Sequence, residues 1–133
     1  MRTITDHVVD GDSANHQIDV YVLDAPGAGG ANHRYELRGI DWAKNVSAHP
    51  REGFDVAHVI LFQNGPIKES GVNGVTQEAL LAIVLDRLKS FQSGPFACQA
   101  NAEAAHHVSE ALTWLQKRTR ERIARGVEGT HTA

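Results

Sequence analysis

The 133-residue sequence predicts an α+β fold: a small antiparallel sheet packed with a C-terminal antiparallel two-helix hairpin. Three observations predict it. Apolar residues alternate through much of the first 62 positions, as on strands with one buried face. Beyond residue 76 the apolar spacing becomes that of helices. A Ser93-Gly94-Pro95 breaker then divides the helical part, and so short a connection requires the two helices to pack antiparallel. One domain is expected, with a β portion at 1–63, a hairpin at 75–125 and a tail at 126–133.

Each element has its own signal. Residues 3–9 read as a first strand, closed by the turn-forming Asp10-Gly11-Asp12-Ser13. Residues 17–23 set Ile18, Val20 and Val22 on one face and Asp19 and Tyr21 on the other. The Pro- and Gly-rich stretch 25–31 must be a loop, and a third strand follows at 34–40 with Tyr35 and Leu37. Residues 41–53 read as irregular. Residues 56–62 are the most apolar run of this half and read as a central strand, giving three or four strands in all. Gly65 to Gly74 is a glycine-punctuated loop. Thr76 is an N-cap with Glu78 in the first helical turn, both favoured at a helix start. Leu80, Leu81, Ile83, Val84, Leu85, Leu88 and Phe91 form the apolar stripe of that helix, which runs to about residue 92. The second helix is expected from Phe96 to Arg125, with Val108, Leu112, Leu115, Thr119 and Ile123 facing the core and Gly126 as the stop.

The bulk numbers describe a soluble globular protein: 41% apolar, 22% charged. No apolar run reaches the ~20 residues of a membrane span, and the polar start Met1-Arg2-Thr3-Ile4-Thr5-Asp6 lacks the apolar core of a signal peptide. The single cysteine, Cys98, rules out an internal disulfide and fits a reducing compartment. A cytoplasmic protein without a membrane partner is expected.

Charge is unevenly spread. The net charge is −3, yet Lys117-Arg118-Thr119-Arg120-Glu121-Arg122-Ile123-Ala124-Arg125 carries five cations against one anion. A mildly acidic chain with one basic stripe is ill suited to coating long nucleic acid, and suited to a small, compact anion. Arg118 and Arg122 stand at i and i+4 on a stripe with Ala111 and Trp114, beside the core face. Two planar guanidinium forks side by side match two phosphates. On the residues alone, a solvated, dipole-stabilised helix end is the more ordinary reading of the same stripe.

At the opposite end of the hairpin lie Phe91 and Asn101, an aromatic face and an amide, the equipment for stacking and reading a base. A core phenylalanine and a capping asparagine are the alternative. Asn101 and Arg118 are 17 residues apart, about 25 Å on a straight helix. One subunit therefore cannot bring them into a single small-ligand pocket. Two antiparallel copies of the helix can, with Asn101 from one and Arg118 and Arg122 from the other, twice by symmetry.

The residues that run from Phe62-Gln63-Asn64-Gly65-Pro66-Ile67-Lys68-Glu69 through Glu78-Ala79-Leu80-Leu81, Asp86-Arg87-Leu88, Phe91-Gln92, Gly94-Pro95-Phe96-Ala97-Cys98 and Trp114-Leu115 to Arg125-Gly126-Val127-Glu128-Gly129-Thr130-His131 resemble the phage anti-Thoeris sponge proteins. That family shares a helical hairpin with phage anti-CBASS sponges. The resemblance spans about half the chain. It implies a non-catalytic protein without cofactors that sequesters cyclic ADP-ribose isomers in the infected cell, and in some members cyclic di- or trinucleotides. It implies a stacking Phe91, a base- or ribose-contacting Asn101, and diphosphate-binding Arg118 and Arg122. It also implies a homodimer or hexamer. Arg87, Lys68, Asn73 and Thr130 are candidates for a second nucleotide site. His106-His107 departs from the aliphatic or polar residues expected in that stretch.

Other constellations carry less. Glu103-Ala104-Ala105-His106 has the Glu-x-x-His spacing of bundle metal sites, but the first helix offers only Glu78 and Asp86 to complete one, so no metal is expected. The Gly65–Gly74 loop lacks the Lys-Ser/Thr ending of a P-loop. Cys98 near a helix start is read as a buried, inert thiol rather than a reactive one. Two rival functions stand beside the sponge: a nucleotide hydrolase using Glu103, His106 or His107, and a structural phage protein whose hairpin only oligomerises.

Overall fold

The computed structural model describes residues 1–11, 13–49 and 57–133. Asp12 of the predicted turn, residues 50–53 of the predicted irregular stretch and Val56 lie outside them. The chain forms two compact units, Met1–Asn64 and Gly65–Ala133.

The first unit is a four-stranded antiparallel meander of β1 (Arg2–Ile4), β2 (Asp19–Val22), β3 (Arg34–Arg38) and β4 (His58–Leu61), hydrogen-bonded in that order. A one-turn helix, α1 (Ala14–Gln17), precedes β2; it fills the stretch between the expected turn and second strand and takes Gln17 from that strand. The register pairs Val20 with Leu37, Val22 with Tyr35, and Tyr35 with Ile60. Alternation thus collects Val20, Val22, Tyr35, Leu37 and Ile60 on one face, with Val22 fully buried. Phe62 meets Tyr35 edge-on at 5.5 Å. The apolar run 56–62 does not become a central strand: β4 is an edge of this sheet, and Val59 and Leu61 on its outer face are exposed.

Two carboxylates organise this unit. Asp24 closes the glycine-rich loop by accepting the backbone N–H groups of His33 and Arg34, at 2.9 and 3.1 Å. Burial works to raise its pKa, but those backbone bonds outweigh it and hold the carboxyl below its ordinary value. Glu36, 6% exposed, lies between Arg38 and Arg34 at 2.7 and 3.0 Å. Hydrogen bonds from Arg38 and then Arg34 hold its pKa low against the effect of burial.

The second unit is the hairpin. α3 (Gln77–Gln92) starts where Thr76 caps it, the hydroxyl accepting the Ala79 N–H at 3.1 Å. α4 (Gln99–Ala124) is one uninterrupted helix of 26 residues. It begins three residues later than the sequence suggested, because Cys98 is extended (φ −155°) and caps it through Sγ, which accepts the Asn101 N–H at 3.4 Å. Cys98 is exposed rather than buried. α3 and α4 pack against each other. The loop before α3 contains a short helix, α2 (Ile67–Ser70).

The apolar stripe of α4 departs from expectation at its C-terminal end. Leu112 is buried and Val108, Leu115 and Thr119 are half-buried, but Ile123 is 61% exposed while Arg122 is 7% exposed. α4 has 26 residues and α3 has 16. The overhang of α4 is met by the tail, whose backbone carbonyls gather around Arg122, so there a guanidinium rather than an aliphatic side chain fills the inward position.

Candidate functional site

The end of the hairpin that carries Phe91 and Asn101 is built by its turn. Phe91 lies in the last turn of α3 and is 41% exposed, which leaves ring surface available to a ligand. Arg87, one turn earlier, places its guanidinium carbon 5.5 Å from the Phe91 ring centroid. Asn101 stands in the first turn of α4 and is half-buried. The intervening turn is fixed by Gln92, whose side-chain oxygen accepts the Cys98 N–H at 3.0 Å. Phe91 and Asn101 are thus held at the same end of the hairpin by local capping rather than by a deep core. Arg87 is the addition to this end; its i, i+4 spacing to Phe91 was the available signal.

The cationic end belongs to the far part of α4. Arg118 is exposed and makes no hydrogen bond or ion pair among the described residues. Arg122 is its opposite. Its Nε donates to Glu128 Oε2 at 3.1 Å, Nη2 donates to the Val127 and Thr130 carbonyls at 3.0 and 3.2 Å, and Nη1 donates to the Thr132 carbonyl. The i, i+4 pair therefore consists of one cation open to solvent and one surrounded by acceptors.

Between the two ends the hairpin presents apolar surface. A groove of about 530 Å³ is lined by Gln77, Leu80 and Leu81 of α3 and Ala111, Trp114 and Leu115 of α4. Trp114 at its rim is 67% exposed, with the Lys117 ammonium 4.9 Å from its ring centroid. Ile83 and Val84 are exposed as well. The continuous helix keeps Asn101 and Arg118 at opposite ends of the hairpin, about 25 Å apart.

The remaining candidates are placed as follows. His106 pairs with Glu110 at 2.9 Å and His107 with Glu103 at 3.9 Å, all on the exposed surface of α4. Among the described residues no group of three or more His, Cys, Asp or Glu side chains converges as a metal would require. Lys68 and Thr130 belong to the α2–tail region, away from the Phe91 end of α3. No helix among the described residues is long and apolar enough to cross a membrane.

Residues 55–120 match the Acb2/Tad1 hairpin domain. Over 70 residues the chain is 56% identical to Thoeris anti-defense 1 of Bacillus phage SBSphiJ7, an alignment covering 53% of this chain and 49% of that protein. The match thus spans about half the length of that relative. Hairpin geometry, family match and identity agree, and through its helical hairpin the chain belongs to the Acb2/Tad1 family.

Proposed function

We propose that this protein is a phage anti-defence sponge that acts against Thoeris by binding and sequestering cyclic ADP-ribose isomers, without turning them over. The observation that carries this reading is the single uninterrupted helix α4, with Asn101 at one end and Arg118 and Arg122 at the other, in a chain 56% identical to Thoeris anti-defense 1 over 70 residues. Phe91 stacks on the base and Asn101 hydrogen-bonds a base edge or ribose hydroxyl. Arg118 and Arg122 supply the cationic end for the diphosphate, where exclusion of water strengthens the attraction.

Such a site needs two chains. Antiparallel crossing of two α4 helices brings the Phe91–Asn101 end of one chain to the arginine end of its partner, and a two-fold axis makes two pockets. The exposed Trp114, Ile83 and Val84 support self-association, because a lone hairpin leaves them in water. The assembly is a homodimer or a hexamer built from such dimers. Cyclic di- and trinucleotides are a second ligand class of this reading. The action takes place in the cytoplasm of the infected bacterium.

The test separates binding from chemistry. The protein is incubated with a TIR-generated cyclic ADP-ribose isomer, free ligand is removed, and the complex is heat-denatured. Release of the intact isomer supports sequestration. Release of cleaved products makes the protein a hydrolase and turns attention to Glu103, His106 and His107. An isomer that never leaves solution and stays intact contradicts the sponge reading for that messenger.

A further inference from the structure

Helix α4 carries two seams of the same spacing. Ala105, Val108, Leu112, Leu115 and Thr119, alternately three and four residues apart, are the buried and half-buried positions of the hairpin. One step round the cylinder, Ala104, His107, Ala111, Trp114 and Arg118 repeat that alternation, the pattern along which two helices cross. All of these but the half-buried Ala111 are exposed. His107 and Trp114, seven residues apart, are separated by about two turns and so share this face. Lys117 sits over one face of the Trp114 ring, 4.9 Å from its centroid, and the ring is still 67% exposed. His107 is held only loosely in its own chain: Glu103 lies 3.9 Å away, the His106 ring 5.4 Å away, and its side chain is 71% exposed.

We propose that this second seam docks antiparallel on the same seam of a second copy, with each His107 stacked on the partner's Trp114, and that this contact sets the register of the two-chain site. The inference rests on the shared-site reading above and names the side chains that align it. Three observations select this partner and direction. First, the charge of α4 is divided. Residues 99–110 hold Glu103 and Glu110 and no Lys or Arg, whereas residues 112–124 hold Lys117, Arg118, Arg120 and Arg122 against Glu121. Antiparallel docking lays the acidic half on the basic half; parallel docking would set the cations side by side. Second, the registers coincide. His107 lies six residues beyond Asn101, while Trp114 lies four residues before Arg118 and eight before Arg122. Setting Asn101 level with the middle of the partner's arginine pair therefore sets His107 level with the partner's Trp114. Third, Ala104 and Ala111 flank His107 on the seam, and their small side chains let the two backbones approach. His107 is thus a positioning residue, acting on the ligand only through the partner chain.

Wild type, His107→Ala, His107→Phe, Trp114→Ala and the double alanine variant are compared as full-length chains by sedimentation equilibrium. Where assembly outlasts dilution, the rate of subunit exchange between tagged copies takes its place. His107 and Trp114 are both exposed in the single chain, so their loss leaves its fold intact. His107→Ala is expected to weaken association about 5- to 150-fold, because symmetry removes two ring contacts at once. His107→Phe keeps a flat ring and is expected to associate at least as tightly as wild type. The double variant is expected to be no weaker than the more affected single one. Binding of a cyclic ADP-ribose isomer by His107→Ala is expected to fall at low protein concentration and to recover at high concentration, which loss of a direct ligand contact would not do. Wild-type association in His107→Ala, or additive losses in the double variant, overturns the contact. A wild type that stays monomeric with and without the isomer overturns the shared site as well. A wild type that pairs through His107 but binds no isomer upholds the contact and overturns the sponge reading alone.

Discussion

Arg122 and Glu128 form an ion pair at 3.1 Å between the last turn of α4 and the tail beyond it, with the arginine side chain 9% exposed and the glutamate side chain 36%. The pair closes a loop in which the chain turns back on its own helix end at Gly126 (φ +70°), where the Val127 N–H returns to the Arg122 carbonyl at 3.0 Å. The helix terminus is therefore stitched from both sides, by backbone and by guanidinium.

Removal of Arg122 takes away the donor to the Thr130 and Thr132 carbonyls and to the Glu128 carboxylate, while the Val127 carbonyl keeps Thr130 as a partner. Arg122→Ala is expected to destabilise the chain by about 2–4 kcal/mol, the cost of breaking a buried, charge-assisted network. Arg118→Ala, one turn away and exposed, is expected to stay within about 0.5 kcal/mol of wild type. Urea denaturation of the two variants checks the contrast; equal losses would contradict it.

Arg87 over the Phe91 ring predicts a graded effect on ligand binding. Stacking of a base on an aromatic ring contributes about 1–3 kcal/mol, so Phe91→Ala should cost about 5- to 150-fold in affinity. The cation–π contact contributes about 0.5–1 kcal/mol at an exposed site, so Arg87→Ala should cost about 2- to 5-fold. If Arg87 acts through the ring, the double variant is no weaker than Phe91→Ala alone. Additive losses in calorimetric titration would mean that Arg87 contacts the ligand by itself.

Glu36 makes the stability of the sheet unit pH-dependent. Its pKa is held below the ordinary value of 4.5 by Arg38 and Arg34. A carboxyl depressed on folding contributes fully above its unfolded pKa and loses that contribution as pH falls through the folded value. The stability gap between wild type and Glu36→Gln is therefore expected to be largest near neutrality and to close as pH falls past the ordinary value of 4.5 and on through the lower folded value. A gap independent of pH in denaturant titrations would contradict this assignment.

The parts of the fold legible in the sequence are those governed by neighbours in the chain. Thr76 three residues before Ala79, alternation in β2 and β3, and the Gly94-Pro95 break each act locally, and each appears where it was read. Arg87 beside Phe91 is equally local, but the sequence reading assigns Arg87 to a second nucleotide site and passes over that contact. The fate of Arg122 was not legible. Residues 122 and 123 are adjacent on the helix, and the apolar rule assigns the inward place to Ile123. That rule fails only because carbonyls 127, 130 and 132 converge on one point, which depends on tail conformation rather than on periodicity. The edge position of β4 escaped for a related reason: an apolar run records burial tendency but not which neighbour supplies the cover.

The most direct test of a pocket shared between two chains is complementation. Asn101→Ala and Arg118→Ala variants, each impaired alone, are co-expressed and their binding of a cyclic ADP-ribose isomer is titrated. In a mixed dimer one pocket carries both lesions and the other carries neither. Random pairing therefore restores about one quarter of wild-type sites at wild-type affinity. That recovery is the predicted result. No recovery, in assemblies shown to contain both variants, would contradict a site built from Asn101 of one chain and Arg118 of another.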